Sequence, residues 1–132
     1  MIVTDASVIV DVLLRVPGAE ALDARLFDSN ESLHAPHLID VEVAHVLRRY
    51  TLKGEITEAR GKSALARLRG FPLTRHTHAP LLNRIWALRQ NLTAYDATYV
   101  ALAEGLDATL CTRDAPLSTS SGHVARDRKS VV

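Results

Sequence analysis

Short apolar runs alternate along this chain with longer stretches of helical period. Residues 1 to 5 form an apolar run suited to a buried parallel strand, and residues 6 to 15 switch to a helical pattern that Pro17 and Gly18 end. A second helix is expected over 18 to 28, with Ala19, Ala21, Leu22, Leu26 and Phe27 as its apolar positions, and SLHAP at 32 to 36 suits a short strand. From Leu38 to Lys53 the positions Leu38, Val41, Val43, Val46, Leu47 and Tyr50 repeat at helical spacing, with Gly54 at the end. Thr57 can cap the next helix, which runs to about Leu68. FPLTR at 71 to 75 is a weaker strand candidate, and Pro72 assigns it to an edge or a strand start. Residues 79 to 90 and 94 to 104 read as two further helices, the second stopped by Gly105, and ATLCT at 108 to 112 resembles the first strand. The charged tail from about 123 predicts a frayed end or a last edge strand.

Strands alternating with helices predict an α/β fold with a central, mainly parallel sheet covered by helices. At 132 residues the chain fits one domain, 1–132. Four acids sit where apolar runs meet their polar edges. Asp5 closes the first run and Asp114 follows ATLCTR, while Glu42 and Asp96 lie inside helix-like stretches. In open α/β sheets ligands collect beyond the carboxyl ends of the strands, so Asp5 and Asp114 are expected to meet there despite their separation in sequence. Carboxylates near a core are costly unless a positive charge compensates, and four of them suggest a shared cation.

Composition narrows the chemistry. Apolar residues at 47% and charged residues at 23% exclude a disordered or collagen-like chain. The net charge is +1, but it is uneven: residues 1 to 47 hold eight acids and two bases, whereas residues 48 to 93 hold two acids and ten bases. Such a basic middle could draw a polyanion toward an acidic pocket, or it could be solvated helix faces. Cys111 is the only cysteine, which excludes an internal disulfide and suits a reducing compartment. Without a basic leader or a transmembrane-length apolar stretch, a cytoplasmic protein with no membrane partner is expected. Hard oxygen donors favour magnesium or manganese over zinc. A water acidified by such an ion could attack a phosphodiester, giving nucleic-acid hydrolysis as the reaction class.

The segments Asp5-Ala6-Ser7, Glu42 in VEVAHVLRR, Asp96 in YDATYVALAE and Thr112-Arg113-Asp114 resemble the spaced motifs of PIN-domain ribonucleases of the VapC toxin type, from residue 1 to about 118. That resemblance implies a PIN-like α/β sandwich, magnesium-dependent cleavage of RNA as the toxin of a type II toxin-antitoxin pair, homodimerisation, and a small VapB-type antitoxin. Carried over, Asp5, Glu42, Asp96 and Asp114 form the catalytic quartet, supported by Ser7 and Thr112. Asp5 and Asp96 would contact metal most directly, Asp114 through water, and Glu42 would hold water or a proton. Arg113 could touch a phosphate or pair with a nearby carboxylate.

Other readings compete with these assignments. Asp40 is expected as a surface or capping acid, and Asp11 as solvated or bordering the pocket. The histidine pairs His34/His37 and His76/His78 lack common zinc spacing, Arg48 and Arg49 could be solvated or meet an antitoxin, and Trp86 and Tyr99 suit a core. A receiver-type phospho-acceptor domain also gathers acids at strand ends, but the first lysine after Asp114 is Lys129. A catalytically silent RNA- or protein-binding module is the non-enzymatic alternative.

Overall fold

The computed structural model describes residues 1–28, 30–113 and 126–129. Five strands form one parallel sheet: β1 (Ile2–Thr4), β2 (Leu33–Pro36), β3 (Thr74–His76), β4 (Thr109–Thr112) and β5 (Arg126–Lys129), in the order β3-β2-β1-β4-β5. The helices are α1 (Ala6–Leu14), α2 (Glu20–Leu26), α3 (Leu38–Leu52), α4 (Glu58–Arg69), α5 (Leu82–Ala87) and α6 (Ala94–Leu106), with a 3₁₀ turn at Ala79–Leu81 before α5. β1 is central and buried throughout, as its unbroken apolar run requires. From β1 the chain steps outward through β2 to β3, then returns to the other side of β1 as β4. The topological switch point therefore lies between β1 and β4, whose register pairs Thr4 with Cys111.

Local signals explain most boundaries. Thr57 accepts a hydrogen bond from the Arg60 amide and caps α4, while β3 occupies the sheet edge expected of the proline-preceded segment. Cys111 packs fully buried in β4. The tail contributes β5 beside β4, and the frayed end expected around it lies outside the described residues.

Several expectations need correction. The buried stripe of α3 is Ile39, Val43 and Leu47, spaced by four, whereas Val41 is 69% exposed. A strict four-residue stripe keeps one face against α1 and the sheet, and Val41, two residues from Ile39 and from Val43, points away from that face. In α2, Leu22 and Leu26 are buried, but Ala21 and Phe27 are exposed, and the ring of Phe27 rests 5.4 Å from that of Phe71. Helix α5 is shorter than expected, ending at Ala87. Gly105 lies inside α6; the helix ends at Asp107, whose left-handed backbone (φ 50°) returns its amide to Ala103 and Glu104. Aspartate is one of the few residues other than glycine that visits this region readily. Trp86 is 69% exposed and is no part of the core.

Candidate active site

The site is built outward from the carboxyl end of β1. Asp5 leaves the strand in extended conformation and caps α1, its Oδ1 accepting from the Val8 amide at 3.2 Å. Ser7 Oγ donates to the same oxygen at 2.7 Å, and Thr112 Oγ1, at the end of β4, donates to Oδ2. Asp5 is only 6% exposed, so both oxygens are held in a nearly closed setting by donors that favour the charged form. The β1 and β4 register delivers Thr112 to this point, and the Asp5 amide also donates to the Cys111 carbonyl. Ser7 and Thr112 thus each donate to one oxygen of Asp5.

Two helices bring the next acids. Glu42 projects from α3 and Asp96 from the first turn of α6, where Thr93 caps the helix by accepting from the Asp96 amide. Burial raises the proton affinity of Glu42 above its ordinary value. The hydroxyl of Tyr99 works against this by donating to Oε1 at 2.5 Å, while the charges of Asp96 and Asp5 raise the affinity further. Glu42, Asp96 and Asp5 therefore sense one another electrostatically. Tyr99 itself is pushed far upward, first by burial and then by Glu42, so it stays a neutral donor. Its contact with Glu42 also ties α3 to α6.

Tyr99 is a site residue that the sequence pattern assigns only to the core. It is buried, but its hydroxyl reaches the acidic cluster. The available signal is its position three residues after Asp96, on the same face of α6. Asp114 and its metal contact lie outside the described residues. Arg113 pairs with Asp11, the carboxylate alternative among its two expected contacts, and its amide donates to Ser7 Oγ at 3.4 Å. Asp11 is engaged by that pair and is not simply solvated. Asp40 forms a two-pronged pair with Arg75, at 2.8 and 2.9 Å, joining α3 to β3 away from the acids.

The histidines pair across strands rather than within them. His34 Nδ1 lies 2.9 Å from His76 Nε2, and His78 accepts from the Leu38 amide at 3.0 Å. Among the described residues, no group of three or more Asp, Glu, His or Cys side chains could hold a metal ion by itself. The donors that do converge are carboxylate oxygens, and their mutual charge contributes to raising Glu42. That donor set fits a hard ion that uses one or two carboxylates and keeps most of its waters, as magnesium does.

A PIN domain family model matches residues 2–119. The chain belongs to the PIN-domain family. Among PIN-domain relatives, a VapC ribonuclease of Mycobacterium bovis is 45% identical over 118 residues, spanning 89% of each chain. Ribonuclease VapC1 of Mycobacterium tuberculosis is 43% identical over 121 residues, covering 91% of this chain and 90% of its own. Among solved structures, the sarcin-ricin loop cleaving toxin VapC20 of Mycobacterium tuberculosis aligns with a TM-score of 0.70 at 16% identity, over 94% of this chain and 97% of that one. The VapBC2 structure from Rickettsia felis, bound to a DNA fragment from its promoter, aligns with a TM-score of 0.73 at 13% identity, over 99% and 100%. Both share the fold of this PIN domain.

Proposed function

We propose that this PIN domain is a magnesium-dependent endoribonuclease and the toxin of a type II toxin-antitoxin pair. The observation that carries the proposal is the cluster itself: Asp5 locked by Ser7 and Thr112 at the switch point, beside Glu42 and Asp96. The identity to proteins named VapC ribonucleases supports RNA as substrate.

In this reading Asp5 and Asp96 would hold magnesium, with manganese as an alternative ion, and Asp114 would contribute through water. When bound, the ion supplies charge stabilisation for the phosphodiester and a more acidic water. The chain's own groups do the rest. Ser7, Thr112 and the Val8 amide fix the Asp5 carboxylate, so it needs no reorganisation during turnover. Glu42, with its raised proton affinity, is suited to accept a proton from the attacking water. Tyr99 holds one of its oxygens and so orients the other.

A small VapB-type antitoxin and a second copy of the chain complete the proposal. A VapBC2 complex from Rickettsia felis and a toxin-antitoxin complex from Klebsiella pneumoniae share this fold, and exposed Leu82 and Trp86 on α5 offer apolar surface for such contacts. A cytoplasmic setting agrees with the buried free Cys111; no described helix is long and apolar enough to cross a membrane.

The test is cleavage of RNA by purified protein with magnesium and with chelator, alongside Asp96→Asn. Internal cuts that need the metal and vanish in Asp96→Asn are expected. Cleavage that survives chelation, or an Asp96→Asn protein cutting at the normal rate, would overturn the assignment.

A further inference from the structure

Arg113 meets α1 at two points. Its guanidinium pairs with Asp11, and its backbone amide donates to Ser7 Oγ at 3.4 Å. Ser7 and Asp11 are four residues apart on α1, so they lie on one face of the helix, a turn from each other. Together the two contacts fix the chain just past β4 both along that face and in its distance from it. The side chains of Asp11 and Arg113 are 17% and 35% exposed, and a pair drawn partly out of water is screened less than one on the open surface.

The consequence for Asp5 follows from the hydrogens available. A serine hydroxyl has one hydrogen and two lone pairs, and an ionised carboxylate only accepts. Ser7 therefore gives its hydrogen to Asp5 Oδ1, at 2.7 Å, and accepts from the Arg113 amide. That amide selects the hydroxyl orientation that faces Asp5. Without it the hydroxyl is free to turn toward water or toward a carbonyl of its own helix. Consecutive residues at the end of β4 thus hold both oxygens of one carboxylate: Thr112 acts on Oδ2 directly, and Arg113 acts on Oδ1 through Ser7.

We infer that Asp11 and Arg113 are positioning residues, whose pair clamps the end of β4 to α1, orients the Ser7 hydroxyl and thereby sets the affinity of the Asp5 carboxylate for a divalent ion. The role rests on the reading of Asp5 as a metal-holding carboxylate, and it makes Arg113 a brace of the site rather than a contact to substrate. Groups that hydrogen-bond a ligating carboxylate fix its direction, and their loss typically costs about ten- to a hundredfold in metal affinity. Arg113 stands one contact further out, so the lower end of that range is expected.

Binding of Mn2+ to the purified protein, followed by loss of the free ion's electron paramagnetic resonance signal, reads the carboxylate without any cleavage. Asp11→Ala and Arg113→Ala should each weaken Mn2+ about tenfold. The double variant should weaken it no further, because all three remove the same pair. Arg113→Lys, which keeps a cation within reach of Asp11, should recover most of the affinity. In cleavage at a subsaturating ion concentration, kcat should fall in both alanine variants while KM for RNA holds. An Arg113→Ala protein with raised KM and a flatter salt dependence, beside an Asp11→Ala protein that behaves as wild type, would make Arg113 a phosphate contact and overturn the clamp. Wild-type Mn2+ affinity in both variants, with only the urea midpoint lowered, would overturn it too, leaving the pair merely structural. Where Asp11→Ala does not fold, Asp11→Asn keeps the shape, removes the charge and should weaken Mn2+ in the same direction. Wild type that binds Mn2+ without cutting RNA, with both variants weakened, would overturn the nuclease reading and uphold the clamp. Wild type that binds no Mn2+ would overturn both.

Discussion

Asp5 serves the fold and the site with one carboxylate. Its Oδ1 caps α1 and receives Ser7, and its Oδ2 receives Thr112. In Asp5→Asn the Oδ1 contacts can persist, and the new amide can donate to the Thr112 hydroxyl. A stability loss of only about 1 kcal/mol in urea unfolding is therefore expected, with cleavage reduced more than about 100-fold. Unfolding of the variant at room temperature would show that the carboxylate is chiefly structural. Glu42 gives a prediction with a definite sign. Its folded proton affinity lies above the ordinary value of 4.5, so its contribution to stability is full below that value and is lost as pH rises through the raised one. Without divalent ions, Glu42→Gln should exceed wild type in stability at neutral pH, and the gap should close as pH falls below the ordinary carboxylate range. A gap that widens in acid would contradict the proposed source of the shift. At this scale the sequence displays Asp5, Ser7, Glu42, Asp96 and Thr112, because acids and hydroxyls at the edges of apolar runs are conspicuous. Tyr99 is hidden because a buried aromatic looks the same in sequence whether its hydroxyl is idle or bound to Glu42.

Elements are joined here by arginines. Arg60 and Arg67 of α4 donate to the carbonyls of Leu14 and Leu13, at 2.5 and 2.8 Å, satisfying the end of α1 where Arg15 turns left-handed at φ 53°. Arg67→Ala should cost about 1 kcal/mol of stability by thermal or urea unfolding while leaving RNA cleavage near wild type; no measurable loss would mean that water replaces the contact fully. The edge of the sheet carries a second dependence. His34 loses proton affinity through burial, then through the charge of His76, then through the N-terminus. Its stabilising contribution is thus complete above its ordinary value of 6.5 and is lost as pH falls through that value toward the lower folded one. Wild type should lose stability more steeply than His34→Gln does as pH falls through 6.5. Parallel slopes would remove His34 as the cause. Strand and helix identities are legible from period and turn residues. The end of α6 is not, because Asp107 stops the helix through its backbone conformation, two residues beyond the more conspicuous Gly105.

Over the whole molecule, the charge asymmetry of the sequence acquires a different meaning. Of the ten bases between residues 48 and 93, Arg60, Arg67, Arg75 and Arg84 are committed to carbonyls or carboxylates within the fold. A basic segment that could be an attractive surface or solvated helix faces is in part internal scaffolding, which no count of charges could reveal. The α/β architecture is legible because alternating strand and helix patterns leave few alternatives once the strands are buried on both faces. The approach of β4 to Asp5 is legible too, through the rule for switch points. That meeting also has a temporal side. Thr112 reaches Asp5 only after 107 further residues have been added and β4 has docked against β1. A chain still emerging from the ribosome, or one released early, has its first acid but not the strand that braces it.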